Sequence, residues 1–402
     1  MSSDRAASRG ARASDAFIAP GATLGVMGGG QLGRMFAHAA QQLGYRTLVL
    51  DPDVGSPAGQ VAHRHIVAPY LDAAGLAELA AGADAITTEF ENVPAQALRQ
   101  LSAARVVAPG ADAVAVCQDR AAEKAQFARC GVPCAPHTLI ETDAQLAAVD
   151  DALLPGILKT ARLGYDGKGQ VRIARRSELA EAWAQLGRAP CVLEKMLPLA
   201  REISVIVARG ADGVCVVLPV QDNLHRGGIL AVTRVPAPGL AAATADAAMA
   251  AAGTLAEAIG HVGVLCVEFF VLADSSLVAN EMAPRPHNSG HHSIDACDVS
   301  QFDLQVRTLV GAPLAQPRLH SPAVMLNLLG DLWWRGLAPS DAPVEPDWAA
   351  VLALPGMHLH LYGKADPRPG RKMGHLTVTA ASAEAAETQA RAAAARLGMA
   401  GW

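Results

Sequence analysis

Long apolar stretches are missing from this 402-residue sequence. No run approaches the roughly 18 apolar residues that a membrane-spanning helix needs, so no span is expected. Cysteines are few and unpatterned: the seven (Cys117, Cys130, Cys134, Cys191, Cys215, Cys266 and Cys297) are odd in number, form no CxxC pair and lie in apolar contexts. Cys130 and Cys134 have no second pair to complete a zinc site, so they read as buried, reduced thiols of a cytoplasmic protein. Aromatic residues make up only 4% and charged residues 18%, with a formal net charge of -5. So mild a charge argues against a nucleic-acid partner bound by bulk electrostatics, while local basic clusters stay free to hold phosphates. A Walker GxxxxGKS/T string is absent, which excludes the P-loop nucleotidases. The opening segment, MSSDRAASRGARASDAF, lacks the apolar core of a secretory signal and reads as part of a disordered extension over residues 1–20.

What is present is 51% hydrophobic, enough for several cores, over a length that suggests two or three domains. Thr23–Met27 reads as a strand, Gly28-Gly29-Gly30 as a turn, and Gln31 opens a helix. Further strands at 45–50, 62–68, 85–88 and 105–108 alternate with helices, which predicts a doubly wound parallel sheet over residues 21–117. From Asp119 the pattern changes. A helix to Cys130 precedes strands with Gly-rich turns, a long Ala-rich helix near 241–259, strands Val262–Leu272 and Leu277–Met282, and a helix over Ser300–Val310. These form an α+β unit over 118–315, with a flap at 159–210. A third unit, 316–402, mixes short strands with a terminal helix capped by Ser382.

Gly28-x-Gly30-x-x-Gly33, with Asp51 ending the next strand, has the form of a dinucleotide fingerprint. Such glycines serve any anion at a helix N-terminus, so a nicotinamide-dependent oxidoreductase is the rival reading from another class. Lys159 ends an apolar strand and is followed by Gly164-Tyr165-Asp166-Gly167-Lys168-Gly169-Gln170. Three glycines with an interleaved lysine can make a flap that closes backbone N–H groups over phosphates; the bland alternative is a hairpin turn. Glu194-Lys195-Met196-Leu197 leaves a strand and Glu202 enters the next, an arrangement suited to an adenine edge and ribose hydroxyls.

Glu268 and Glu281 carry the most physical argument. If Asp274-Ser275 is a two-residue turn, Ala273 pairs with Ser276 and Glu268 therefore with Glu281. Two carboxylates side by side repel, and they make sense if a hard divalent cation such as Mg2+ bridges them, with Asn280 as a further oxygen ligand. His287 and His291 have helical zinc spacing, but Pro284, Pro286 and Gly290 argue against a helix there. As a loop, Arg285, His287, Asn288 and Ser289 face a polar, anionic substrate. Lys364, Arg368, Arg371 and Lys372 crowd a Pro/Gly turn, either a solvated loop or a phosphate clamp.

Flap, paired glutamates and basic C-terminal loop together resemble the ATP-grasp superfamily. Within it, GGGQLGRM (28–35), GYDGKGQ (164–170), DNLHRGGIL (222–230), NEMAPRPHNSGH (280–291) and RPGRKMGH (368–375) resemble the 5-(carboxyamino)imidazole ribonucleotide synthetases, in the right order over about residues 21–400. The resemblance implies a three-domain ATP-grasp architecture. It implies ATP-dependent carboxylation of 5-aminoimidazole ribonucleotide by bicarbonate, through carboxyphosphate, in a homodimer with no membrane or nucleic-acid partner. ATP would be held by Arg120, Lys159, Gly164, Tyr165, Asp166, Gly167, Lys168, Gly169, Gln170, Glu194, Lys195, Met196, Leu197 and Glu202, with His225 and Asn280 beside it. Mg2+ would sit on Glu268, Glu281 and Asn280. The ribonucleotide would meet Glu89 or Glu91, Tyr165, Asp166, Lys168, Arg285, His287, Asn288 and Ser289, with its phosphate on Lys364, Arg371 and Lys372. Lys159, Asp166 and His287 would be catalytic, Asp166 acting on the substrate amine. One departure is Asp222, where the family implies Glu or His, and Asp222 is left out of the nucleotide contacts. Formate-dependent glycinamide ribonucleotide transformylases and biotin carboxylases share the ATP half; PRPHNSGH and RPGRKMGH separate this chain from them.

Overall fold

Three sheets organise the chain in the computed structural model, which describes residues 17–164, 168–336 and 342–401. The first is parallel and runs β3-β2-β1-β4-β5, from β1 (Thr23–Met27), β2 (Arg46–Leu50), β3 (Arg64–Ile66), β4 (Ala85–Thr88) and β5 (Val106–Val107). Strands β1, β2 and β4 are buried almost throughout because both faces of the sheet are covered. Leu24 and Val26 pack with Phe36, while Met27 packs with Leu79 and Leu98 on the opposite face. This is the doubly wound unit expected from the alternation of strands and helices.

The second sheet is small and antiparallel, ordered β6-β9-β7-β8: β6 (His137–Ile140), β7 (Gly156–Thr160), β8 (Gln170–Ile173) and β9 (Cys191–Lys195). It has its own core of Leu158, Trp183 and Leu193. The Gly-rich flap segment joins β7 to β8.

The third sheet has nine strands: β10 (Leu199–Arg209), β11 (Cys215–Val217), β12 (Gln221–Arg226), β13 (Ile229–Val235), β14 (Gly263–Leu272), β15 (Leu277–Ala283), β16 (Ala323–Leu329), β17 (Met357–Leu361) and β18 (Lys372–Thr379). They run β15-β14-β10-β12-β13-β16-β18-β17, with β11 beside β10. The C-terminal strands thus continue the central sheet rather than building one of their own, Val232 of β13 pairing with Leu326 of β16. The helix Ala383–Arg396, capped by Ser382 Oγ accepting from the Ala385 N–H, covers them. The Ala-rich helix Ala242–Ala258 lies on the sheet through Ala248, Ala252 and Leu255. The helix Gln301–Val310 joins the first unit to the third, since Phe302, Val306 and Leu309 share a core with Phe36 and Tyr362. Among the described residues no helix is long and apolar enough to cross a membrane.

The β14–β15 hairpin corrects one expectation. Leu272 N–H donates to Ser276 O, and Ser275 takes a left-handed φ of 68°, so the loop has three residues, 273–275, not two. That moves the register at the tip by one, to Val271↔Leu277 and Phe269↔Ala279. A bulge at Asn280 moves it back, and Glu268 faces Glu281 after all.

Phe302 is 1% exposed between the two units. Phe302→Ala is expected to lower stability by about 3–5 kcal/mol, measured as the shift in the urea unfolding midpoint at unchanged slope.

Candidate active site

The glycine turn after β1 is already filled by the chain's own carboxylates. Glu89 accepts from the N–H groups of Gly30 (2.9 Å) and Gly33 (3.0 Å), and Asp51 accepts from Gly29 N–H at 2.6 Å. A Cβ on Gly30 would lie 2.5 Å from Glu89 Oε1, so glycine is required for that close approach. These N–H groups are the ones a dinucleotide pyrophosphate would take, which removes the physical basis of the nicotinamide reading. Burial pushes the Glu89 carboxyl up, against the two N–H bonds.

The helix Arg120–Arg129, capped by Asp119, docks one face onto β15. Residues at i, i+3 and i+4 share that face. Arg120 Nη1 donates to Glu281 Oε2 at 2.8 Å, Glu123 accepts from Met282 N–H at 2.6 Å, and Lys124 Nζ donates to Asn280 O at 2.7 Å. Lys124 is fully buried and lies 3.2 Å from Glu194, whose other oxygen accepts from Lys159 at 2.8 Å. Burial works against the Glu194 charge, yet the two lysines hold its carboxyl below the ordinary range. Lys124 was not singled out in the sequence; the signal was its place one turn after Arg120.

Glu268 and Glu281 lie opposite each other on β14 and β15. Burial and the charge of Glu281 push Glu268 up; for Glu281, burial is outweighed by Arg120 and the carboxyl stays down. One carboxylate is thus charged and its neighbour reluctant, the state a bridging cation would relieve. The Oδ1 of Asn280, buried at the bulge, has no hydrogen-bond partner among the described residues. Carboxylate and amide oxygens of this kind fit Mg2+.

A cavity of about 780 Å³ collects twelve of the predicted residues. Its walls include Glu89, Arg120, Gly164, Lys168, Glu268, Glu281, Arg285, His287, Asn288, Lys364, Arg371 and Lys372, together with Gln31, Glu91, Glu123, His291 and Arg368. The choice between Glu89 and Glu91 resolves into two jobs: Glu89 caps the glycine turn and Glu91 pairs with Arg285. Burial and then the Arg285 charge push His287 down to about 3.

Several predicted residues stand behind these walls. Lys159 and Glu194 form the buried ion pair just described. The backbone N–H groups of Lys195 and Met196 bond Pro136 O and Pro155 O, which fixes the linker running on to Leu197. Gly169, with φ +70°, directly precedes Gln170, which begins β8. His225 Nδ1 lies 2.7 Å from Glu202. Ser289, expected at the substrate, is fully buried and bonded to His287 and Ser204. Tyr165, Asp166 and Gly167 lie outside the described residues. Asp222 sits between Arg201 (3.4 Å) and Arg234 (3.1 Å) in structural ion pairs.

Neither histidine pair makes a metal centre. His287 Nε2 faces Glu268, and His291 Nδ1 faces the Gln301 amide. Asp295, His360 and His375 bring one donor atom each within 4.8 Å of one another. The His360 and His375 rings, however, stack at 4.5 Å and 12°, so their in-plane lone pairs run side by side instead of converging.

An ATP-dependent ligase of the ATP-grasp class is what this arrangement defines, because the phosphates of a nucleotide need oxygen-bound cations and lysines within reach of a closing glycine-rich turn. Three family profiles agree: a ribonucleotide synthetase preATP-grasp domain over residues 21–118, an ATP-grasp domain over 125–302, and a phosphoribosylaminoimidazole carboxylase C-terminal domain over 323–389. The N5-carboxyaminoimidazole ribonucleotide synthase of Brucella melitensis is 47% identical over 363 residues, covering 90% of this chain and 97% of that protein. The chain belongs to the N5-carboxyaminoimidazole ribonucleotide synthase family. The Bacillus subtilis synthase is 40% identical over 364 residues, covering 90% and 92%. A crystal structure of an N5-carboxyaminoimidazole ribonucleotide synthetase with ADP is similar at TM-score 0.86 and 39% identity, over 94% of this chain and 97% of that one. The Aspergillus clavatus synthase in complex with ADP and 5-aminoimidazole ribonucleotide is similar at TM-score 0.84 and 31% identity, over 94% and 98%.

With the glycine turn filled by Glu89 and Asp51, ATP with Mg2+ is expected to raise the melting temperature and NADH at the same concentration to leave it unchanged. A rise with NADH would reopen the dinucleotide reading.

Proposed function

We propose that this cavity binds ATP beneath the β7–β8 turn and uses bicarbonate to carboxylate the exocyclic amine of 5-aminoimidazole ribonucleotide. The observation that carries the reading is one cavity lined by the Glu268–Glu281 pair, by Arg285 and His287, and by Lys364, Arg371 and Lys372. Glu268, Glu281 and Asn280 would hold Mg2+, which supplies charge neutralisation for the phosphates. Lys124 is fully buried and helps to hold Glu194, and Lys159, on the other oxygen of Glu194, would contribute positive charge toward the phosphates.

The chemistry then needs mainly positioning and charge. A bicarbonate oxygen bonds to the γ-phosphorus as the bond to the β–γ bridging oxygen breaks, leaving ADP and carboxyphosphate. Its C–O bond to the phosphoryl group breaks to give CO2 and phosphate. The amine nitrogen bonds to CO2 and loses a proton, which Asp166 takes. Arg285 and neutral His287 donate to the anionic oxygens, and Lys364, Arg371 and Lys372 clamp the ribonucleotide phosphate. Gly164 and Lys168, at the two ends of the flap turn, line the cavity, where closure of the flap would exclude water from the reactive intermediate. The family resemblance also supports a cytoplasmic homodimer, which light scattering checks directly as a mass of two chains.

Phosphate release from ATP with Mg2+ and bicarbonate is expected to rise strongly when 5-aminoimidazole ribonucleotide is added, with a carboxylated product. Stimulation instead by glycinamide ribonucleotide with formate, or by biotin, would keep the class and replace the substrate. Glu268→Gln and Glu281→Gln are each expected to lower kcat by about 100-fold and to raise the Mg2+ needed for half-maximal rate. Unchanged Mg2+ dependence in both variants would end the metal assignment.

A further inference from the structure

Four buried polar side chains stand in line behind His287, and none of them lines the cavity. Thr233 Oγ1 donates to Asn223 Oδ1 at 2.9 Å, and Asn223 Nδ2 donates to Ser204 Oγ at 2.8 Å. Ser204 Oγ is 2.8 Å from Ser289 Oγ, closer than its 3.0 Å contact with Gln221 Oε1. Ser289 Oγ is 3.0 Å from His287 Nδ1. The row crosses β13, β12 and β10 before reaching the turn Asn288–Gly290.

The row has a direction. The Ser289 backbone N–H lies 3.4 Å from the same Nδ1, and a backbone N–H can only donate. Nδ1 is therefore the lone-pair nitrogen and the ring proton sits on Nε2, 3.2 Å from Glu268 Oε1. The other tautomer would turn a lone pair toward that carboxylate and remove the ring's only N–H from the cavity. Donors and acceptors aligned in one sense polarise one another, so the chain strengthens the single arrangement it selects.

We propose that Thr233, Asn223, Ser204 and Ser289 are positioning residues that fix His287 as an Nε2–H donor facing Glu268 and the cavity. The inference rests on the reading of His287 as a donor to anionic oxygens. It makes Ser289 act through His287 and not through a substrate contact.

The test combines kinetics with nitrogen-15 long-range spectra of the histidine rings in the full chain, the His287 signals being assigned by their loss in His287→Ala. Ser289→Ala is expected to lower kcat by about 10-fold, with KM for ATP and for the ribonucleotide within about twofold. In a His287→Ala background the same change is expected to have no further effect, and in the Ser289→Ala single variant the Nε2–H signature of His287 is expected to give way to mixed tautomers. A rise in the ribonucleotide KM at unchanged kcat, an equal loss in the His287→Ala background, or an unchanged tautomer would each overturn the proposal. If His287→Ala itself leaves kcat unchanged, the donor reading of His287 fails, while the spectra still report whether the row sets the tautomer. Ser204→Ala, one step further back, is expected to show the same pattern and serves if Ser289→Ala does not fold.

Discussion

Two glutamates side by side on neighbouring strands are the constraint around which the active site is arranged. Left alone, Glu268 and Glu281 would repel in surroundings that already disfavour charge. The chain answers with Arg120 on Glu281 and with a helix face laid along β15. It also places a bulge that leaves an amide oxygen of Asn280 without a partner among the described residues. Each of these would be a defect in a structural hairpin. Together they make a strand pair whose oxygen atoms fit a divalent cation.

The same economy explains the first unit. Its strand–glycine–helix turn has the local geometry of a dinucleotide site, but Glu89 and Asp51 already satisfy the N–H groups that such a ligand would need. What remains of Glu89 forms part of the cavity wall, beside Glu91 and Arg285. A shared turn therefore need not mean a shared ligand, because one side chain from a neighbouring strand can occupy the anion position.

Much of this was legible in the sequence, and unevenly so. The parallel unit was readable because buried strands on both faces leave continuous apolar runs, and because helices alternate with them. The glutamate pairing was read correctly through a wrong turn: the three-residue loop and the Asn280 bulge each move the register by one and cancel. Lys124 was invisible because a lysine in a polar helix reads as solvated until the helix is docked. The continuity of the central sheet was also hidden, since nothing local in β16 names β13 as its neighbour. Ser289 lies in a segment rich in cavity-lining residues, and only burial shows that its hydroxyl points backward to Ser204.

That continuity bears on how the enzyme comes into being. Strand β13 pairs early with β12 but gains its second neighbour only when β16 has been made, and β16 is covered only when β18 and the terminal helix follow. During synthesis the growing sheet carries an open edge, and the basic loop between β17 and β18 is among the last parts to take its place. A chain stopped early would present unpaired backbone and apolar surface, a template for misassembly. Only the finished polypeptide therefore encloses its reaction site, so a partial product has no completed chamber in which to consume nucleotide.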